Sequence, residues 1–175
     1  ELTLTGKSCG LEERAPMCGV PFHAADSYIN RLVSNGHKVA ICEQMEDPRF
    51  AKGLVKREVT RIVTPGTITA AETLDETRNN YIFAVFYEIG SNNLPQSAKA
   101  GIAVCDISTG DFYATQIQGN QKIRDEINKY SPSEIVCNQA FLMSSMDLED
   151  LRTRLGIAIN QLDSHYFGQD EARQI

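Results

Sequence analysis

Tyr81-Ile82-Phe83-Ala84-Val85-Phe86-Tyr87 is a continuous apolar, β-rich run, and the order of the elements downstream of it decides the fold. After a polar loop over residues 91–99, two further strand-like stretches occupy 101–107 and 111–117. Ser108-Thr109-Gly110 lies between them and reads as a tight hairpin connection. Residues 121–130 then place Ile123, Ile127 and Tyr130 on one helical face. That helix stops before Pro132, because proline disfavours helical geometry in the residue before it. Residues 134–137 form a short strand and 146–155 a second helix, with Asp147 as its cap and Gly156 as its stop.

Three antiparallel strands followed by helix, strand and helix is the order of a ribonuclease-H-like α/β fold, which the sequence predicts over residues 81–175. Working outward, residues 68–80 are polar and acidic with few apolar anchors, so a domain boundary is placed at 70–80. The first module is then 1–69. Its opening stretch is polar, with a brief strand at residues 2–5, and Met17-Cys18-Gly19-Val20-Pro21-Phe22 is an apolar turn. Tyr28, Ile29, Leu32 and Val33 have helical spacing, and Gly36 suits a left-handed stop. Residues 38–42 read as a short buried strand. Residues 54–63 are a second strand in which Val55, Val59 and Val63 share parity with Arg57 and Arg61. Either a bulge breaks that register or the arginines emerge at a rim. Thr64-Pro65-Gly66-Thr67 ends the strand with turn chemistry. The fold class is therefore α/β, two small domains, the first with a mixed sheet.

At 175 residues, 42% hydrophobic and 23% charged, the chain has the balance of a globular protein with a real core. No apolar run reaches the roughly 18 residues that a membrane span needs. The start at Glu1, without Met or an apolar leader, reads as an excised piece. The five cysteines are far apart and form no C-x-x-C pair, which predicts reduced, buried thiols of a cytoplasmic protein. His23, His37 and His165 show no metal-ligand spacing. Net charge is −6, unevenly spread: residues 1–69 hold nine Lys/Arg against eight Asp/Glu, and the remainder eight against fifteen. An acidic second half argues against broad phosphate contact there.

Several stretches, taken together, resemble the MutS family of mismatch-repair proteins. Pro16-Met17-Cys18-Gly19-Val20-Pro21-Phe22-His23 is similar to its Pro-Met-x-Gly-x-Pro-Tyr/Phe-His segment, and Val39-Ala40-Ile41-Cys42-Glu43-Gln44 to its Val-Ala-Ile-Cys-Glu-Gln strand. Lys52-Gly53-Leu54-Val55-Lys56-Arg57-Glu58-Val59, Arg61-Ile62-Val63-Thr64-Pro65-Gly66-Thr67 and Asp106-Ile107-Ser108-Thr109-Gly110 come next in family order. The resemblance implies the later part of a mismatch-binding domain, incomplete, joined to a ribonuclease-H-like connector domain cut short at its C-terminus. It also implies a bacterial, cytoplasmic, nucleoid-associated protein that acts as a homodimer on duplex DNA with mismatched or unpaired bases. Such a protein relays recognition to an ATPase and to MutL. The family's Phe-x-Glu wedge lies upstream of the segment at which Glu1 begins, so it is expected to be missing here. The ATP- and Mg-binding loop is absent as well, so no cofactor and no enzymatic activity are expected of this stretch.

Residues 49–61 hold five basic residues against one acidic, as a phosphate-positioning surface requires. The resemblance adds Lys7, Met17, Gln44, Lys56 and Arg57 as DNA-side residues, and Arg173 and Gln174 as a MutL-docking patch, with Ile175 where a second polar residue can occur. Phe22 and His23 are expected to lock the turn onto the helix beyond it. Two other readings stand beside this one. A metal-dependent nuclease would need acids converging on Asp106, whereas the hairpin suggests that Asp106 caps the turn. The acidic second module also fits a protein-interaction adaptor, and a MutS paralogue with another DNA target has the same motifs.

Overall fold

The computed structural model describes residues 2–8, 10, 12–68, 79–168, 170 and 173. The chain divides into two compact units, Glu1–Val63 and Thr64–Ile175.

In the first unit, β1 (Thr5–Lys7) pairs antiparallel with β2 (Ala15–Met17). The strand expected at residues 2–5 thus begins where that stretch ends. A 3-10 turn, Phe22–Ala24, runs into α1 (Ala25–Ser34). Gly36 takes the left-handed φ of +83° that ends this helix, a value that favours glycine because it has no Cβ. The second ribbon pairs β3 (Val39–Gln44) antiparallel with β4 (Arg57–Val63). Val33 and Val63 are buried, and Val39, Ile41, Tyr28 and Ile29 are half-buried. The expectation of a buried strand at 38–42 is corrected: Ala40, Cys42 and Gln44 are exposed. A two-stranded ribbon with one packed face sends alternate residues outward. The cysteines are corrected likewise, since Cys18 and Cys42 are exposed, Cys105 is half-buried and Cys137 is buried, all four free. Cys9 lies outside the described residues.

The second unit is a five-stranded sheet with helices. Its elements are β5 (Tyr81–Glu88), β6 (Lys99–Asp106), β7 (Asp111–Gln118), α2 (Asn120–Tyr130), β8 (Glu134–Cys137), α3 (Gln139–Leu142), α4 (Leu148–Thr153) and β9 (Ala158–Gln161). The spatial order is β7-β6-β5-β8-β9. The first three strands are antiparallel, while β8 runs parallel to β5 and β9 to β8. The mixed α/β class and the strand–helix order therefore match the expectation. Two elements were not expected, α3 and β9, each only four residues long and too short for periodicity to mark. The helix expected at 146–155 is the shorter α4, and the Asp147 carboxylate does accept from the Asp150 N–H at 2.9 Å.

Alternation along β5 turns Phe83, Val85 and Tyr87 to one face, opposite Val104, Ile102 and Ala100 of β6. Ile135 and Cys137 of β8 join them, covered by Ile123 and Ile127 of α2 with Phe141, Leu151 and Ile157. Burial pushes the Cys137 thiol up to about 11, so it behaves as a small apolar core residue.

At one end of this sheet the polar groups are as well organised as the core. The Asp106 carboxylate, 1% exposed, accepts from the Asn80 N–H at 2.8 Å on one oxygen. Its other oxygen accepts from the Ser108 N–H at 2.8 Å and the Ser108 hydroxyl at 2.6 Å. Burial raises this carboxyl, but the donors from Ser108, Asn80 and Thr109 outweigh it and hold the group below the usual carboxylate range. Glu134, also buried, accepts from the Gly66 N–H at 3.1 Å and the Asn160 amide at 2.6 Å. Asn80 donates its amide to the carbonyls of Pro65 at 3.0 Å and Ile68 at 3.4 Å, and accepts from the Ser133 hydroxyl at 2.6 Å. The turn expected to close the first module, residues 64–67, is thereby held by the second.

This packing has two measurable consequences for stability. A Cβ at Gly66 would stand 2.3 Å from the Ile82 side chain and 3.1 Å from Glu134 Cβ, while one at Gly101 meets nothing within 4 Å. Gly66→Ala should lower the urea midpoint of the second unit by the equivalent of about 1–3 kcal/mol, with Gly101→Ala near neutral. The second concerns pH. Because Asp106 titrates lower in the folded chain than unfolded, its contribution is fully present above about pH 4 to 5 and lost as pH falls through the folded value. Asp106→Asn can keep its oxygen on the two Ser108 donors but sets an amide NH2 against the Asn80 N–H, so it should cost about 1–3 kcal/mol at pH 7. Its deficit against the parent chain should shrink in acid, as read from denaturation midpoints across pH.

Candidate nucleic-acid interface

The β3–β4 ribbon holds two of the five DNA-side residues expected from sequence, Gln44 and Arg57, and Lys56 flanks it. Its register pairs Val39 with Val63, Ala40 with Ile62 and Ile41 with Arg61, then jumps to Cys42 with Val59, Glu43 with Glu58 and Gln44 with Arg57. Thr60 is the extra residue, and its hydroxyl donates to the Ile41 carbonyl at 3.3 Å. The bulge reverses parity along β4. Val63 and Arg61 keep the half-buried face with Val39 and Ile41, whereas Val59 and Arg57 turn to the exposed face with Cys42 and Gln44. Of the two alternatives for this strand, the bulge is therefore the one found. Arg57 and Arg61, which an unbroken strand would place together, lie on opposite sides.

Gln44 and Arg57 are direct cross-strand partners at the open end of the ribbon, and both are exposed. Lys56 is next to them. Its N–H donates to Glu46 at 2.7 Å and its carbonyl accepts from the Met45 N–H at 2.9 Å, which carries the pairing beyond the strands. The Lys56 ammonium pairs with Glu58 at 2.6 Å, so much of its charge is spent locally. Arg49 is bound by Asp47 in the same way, again at 2.6 Å. Among the described residues Arg57 has no ion pair, and its guanidinium is available to an anion in solution. The Lys56–Glu58 pairing was open to sequence reasoning, because residues two apart on a strand share a side.

Lys7 and Met17 lie on the other ribbon. Thr5 faces Met17 and Lys7 faces Ala15, so all four side chains share one face, and the Thr5 hydroxyl donates to the Met17 carbonyl at 2.8 Å. Met17 is 44% exposed. No strand pairing joins this ribbon to Gln44 and Arg57 among the described residues. The locking role expected of Phe22 and His23 is corrected: Phe22 is 95% exposed and His23 is exposed too. The turn is held instead by its backbone, with the Ala24 N–H donating to the Pro21 carbonyl at 3.0 Å.

In the second unit Arg173 is an exposed turn residue, and Gln174 lies outside the described residues. Asp106 has both oxygens occupied by the hairpin and by Asn80, which is the capping geometry rather than an open metal ligand. Among the described residues, no three His, Cys, Asp or Glu side chains are grouped to hold a metal. A Phe-x-Glu triplet does occur in the chain, contrary to expectation, as Phe86-Tyr87-Glu88. It closes β5, with Tyr87 in the core and the Phe86 ring 5.6 Å from that of Phe167, so it is sheet rather than a projecting wedge. Among the described residues no helix is long and apolar enough to cross a membrane.

Residues 1–72 match the family model of MutS domain I, and residues 80–174 that of MutS domain II. The chain is 53% identical to a protein of Lachnoclostridium phytofermentans named DNA mismatch repair protein MutS, over 98% of its own length and 18% of that protein. Proteins of the same name from Acetivibrio thermocellus and Clostridium tetani are 52% and 48% identical, over 97% and 95% of this chain and 19% and 18% of theirs. The chain thus spans less than a fifth of the length of these relatives. Two adjoining family domains in their family order, covering both compact units, establish that the chain belongs to the MutS family.

Proposed function

We propose that the first module positions duplex DNA and that the second relays its engagement to other parts of a longer mismatch-repair protein. The observation that carries this reading is the bulge-set pairing of Gln44 with Arg57 on an exposed ribbon face, with an uncommitted guanidinium at its end. A planar guanidinium suits phosphate oxygens, and a neighbouring glutamine can accept and donate at a groove edge. Lys56 adds charge once Glu58 is displaced or shared. Lys7 and Met17, side by side on the β1–β2 ribbon, offer a phosphate contact and an apolar surface for a shallow groove.

In this reading the substrate is duplex DNA with mismatched or unpaired bases, whose weak stacking lowers the cost of bending. Discrimination rests on a wedge residue that the longer protein supplies, as do its ATPase, with ATP and Mg, and its homodimer contacts. The second module, through Arg173 and Gln174, docks MutL. The protein works in the bacterial cytoplasm on nucleoid DNA.

Binding of the chain to matched and mismatched duplexes, titrated across salt, tests the first part. Weak, salt-sensitive binding, equal for the two duplexes, is expected. Arg57→Ala should lower the slope of log affinity against log salt by about one, and Arg61→Ala, on the opposite face, should leave it unchanged. Equal effects of both variants, or no binding at low salt, would sink the assignment. For the second part, Arg173→Glu should weaken capture of purified MutL without altering the DNA titration, and unchanged capture would count against that patch.

A further inference from the structure

The two edges of the five-stranded sheet are built differently. β9 closes one edge and is only four residues long, which leaves little backbone open. β7 closes the other and runs for eight residues, Asp111–Gln118, in unbroken register with β6. Among the described residues no strand pairs with its outer side. On such an edge alternate residues turn both N–H and C=O away from the sheet. Sheet edges are commonly blunted by lysine, proline, a bulge or an inward charge, and residues 112–118 contain none of these. Residues 112–116 are all exposed, with Phe112 at 68% and Tyr113 at 45%.

A groove of about 430 Å³ runs beside this edge, between β7 and α2. Its floor is Ile102 and Val104 of β6, and its near wall is their strand partners Thr115 and Tyr113. Glu126, Lys129 and Tyr130 of α2 form the far wall. That lining is already ordered. The Tyr113 ring lies 5.7 Å from that of Tyr130, and the Lys129 ammonium stands 4.6 Å over Tyr130 while pairing with Glu126 at 3.1 Å. A strand laid against β7 would continue the pleat, so every second side chain would stand over the groove beside Tyr113 and Thr115. An open edge with a strand–helix groove next to it is how extended peptides are bound: the backbones pair, and pockets take alternate side chains.

Charge decides between occupants. The second unit carries eight Lys/Arg against fifteen Asp/Glu, and β7 itself starts with Asp111. A second copy would bring the same negative excess to the pairing, whereas a basic segment offsets it. We propose that β7 is a docking edge for an extended, basic segment of another protein, added as a sixth strand with apolar residues at alternate positions over the β7–α2 groove. The inference rests neither on DNA contact by the first module nor on the Arg173 patch, so its failure leaves both readings standing.

The probe is the peptide acetyl-Lys-Val-Lys-Tyr-Lys-Val-Lys-amide, titrated against the complete chain and followed by hydrogen exchange. Two N-methylated forms, one blocked at the Val and Tyr amides and the other at the Lys amides, separate strand addition from charge attraction. Only one of the two sets points at β7 in an added strand. One form should therefore bind about tenfold more weakly than the parent peptide and the other within about twofold. The outward-facing amides among residues 112–117 should exchange about tenfold more slowly with the parent peptide bound. Replacing the peptide's Lys by Glu should weaken binding about tenfold, and Tyr113→Ala should weaken it about fivefold. If Tyr113→Ala does not fold, the two methylated peptides on the unaltered chain decide. No binding of the parent peptide, equal effects of the two methylations, or sedimentation as a dimer that excess peptide does not dissociate would overturn the proposal.

Discussion

Two buried carboxylates impose more order on this chain than any apolar contact. A charge removed from water is tolerated only where donors surround it, and Asp106 and Glu134 are surrounded almost entirely by groups whose positions then become fixed. Asp106 holds the β6–β7 hairpin through Ser108 and the entry to β5 through Asn80. Glu134 holds the edge strand β9 through Asn160 and the incoming turn through Gly66. The sheet would form from its apolar face alone, but its polar end decides which flanking segments belong to it. The same donors that make burial of Asp106 acceptable also engage both of its oxygens, the atoms a catalytic metal would bind. Stability and a nuclease role therefore compete for the same atoms, and stability has them.

The first module works on a different principle. With Val33 and Val63 as its buried hydrophobic residues among those described, it is organised by strand pairing more than by a large core. In such a ribbon one inserted residue has large consequences, because side chains alternate with period two. Thr60 lets Val63 face inward while Arg57 faces outward, and it parts Arg57 from Arg61. Local acids then decide which cations remain available. Glu58 and Asp47 engage Lys56 and Arg49, whereas Arg57 is left unpaired among the described residues. A count of basic residues thus overstates the charge this segment can present to phosphate.

Family boundaries and packing boundaries answer different questions. The matched family regions meet in the 73–79 interval, where the composition is polar and acidic. Hydrogen bonding places residues 64–68 with the second module, because buried backbone and carboxylate groups need partners irrespective of family alignment.

The sequence by itself determined the class and the order of elements. β5 was legible from its uninterrupted apolar run, α2 from the spacing of Ile123 and Ile127, and the hairpin from Ser108-Thr109-Gly110, because these signals are local and rest on periodicity or turn chemistry. The motifs that mark the family were legible for the same reason. β9 and α3 were not, since four residues carry no period and a polar strand such as Ala158–Gln161 forms only because β8 offers it an edge. Nor was the exposure of Phe22, Cys18 and Cys42, which depends on what stands opposite them. The tertiary structure alone decided that Gln44 meets Arg57, that Thr60 bulges, and that Asn80 joins Pro65, Ile68 and Asp106. Each of these is a pairing between residues distant in sequence, and alternation or propensity along one segment holds no information about register with another.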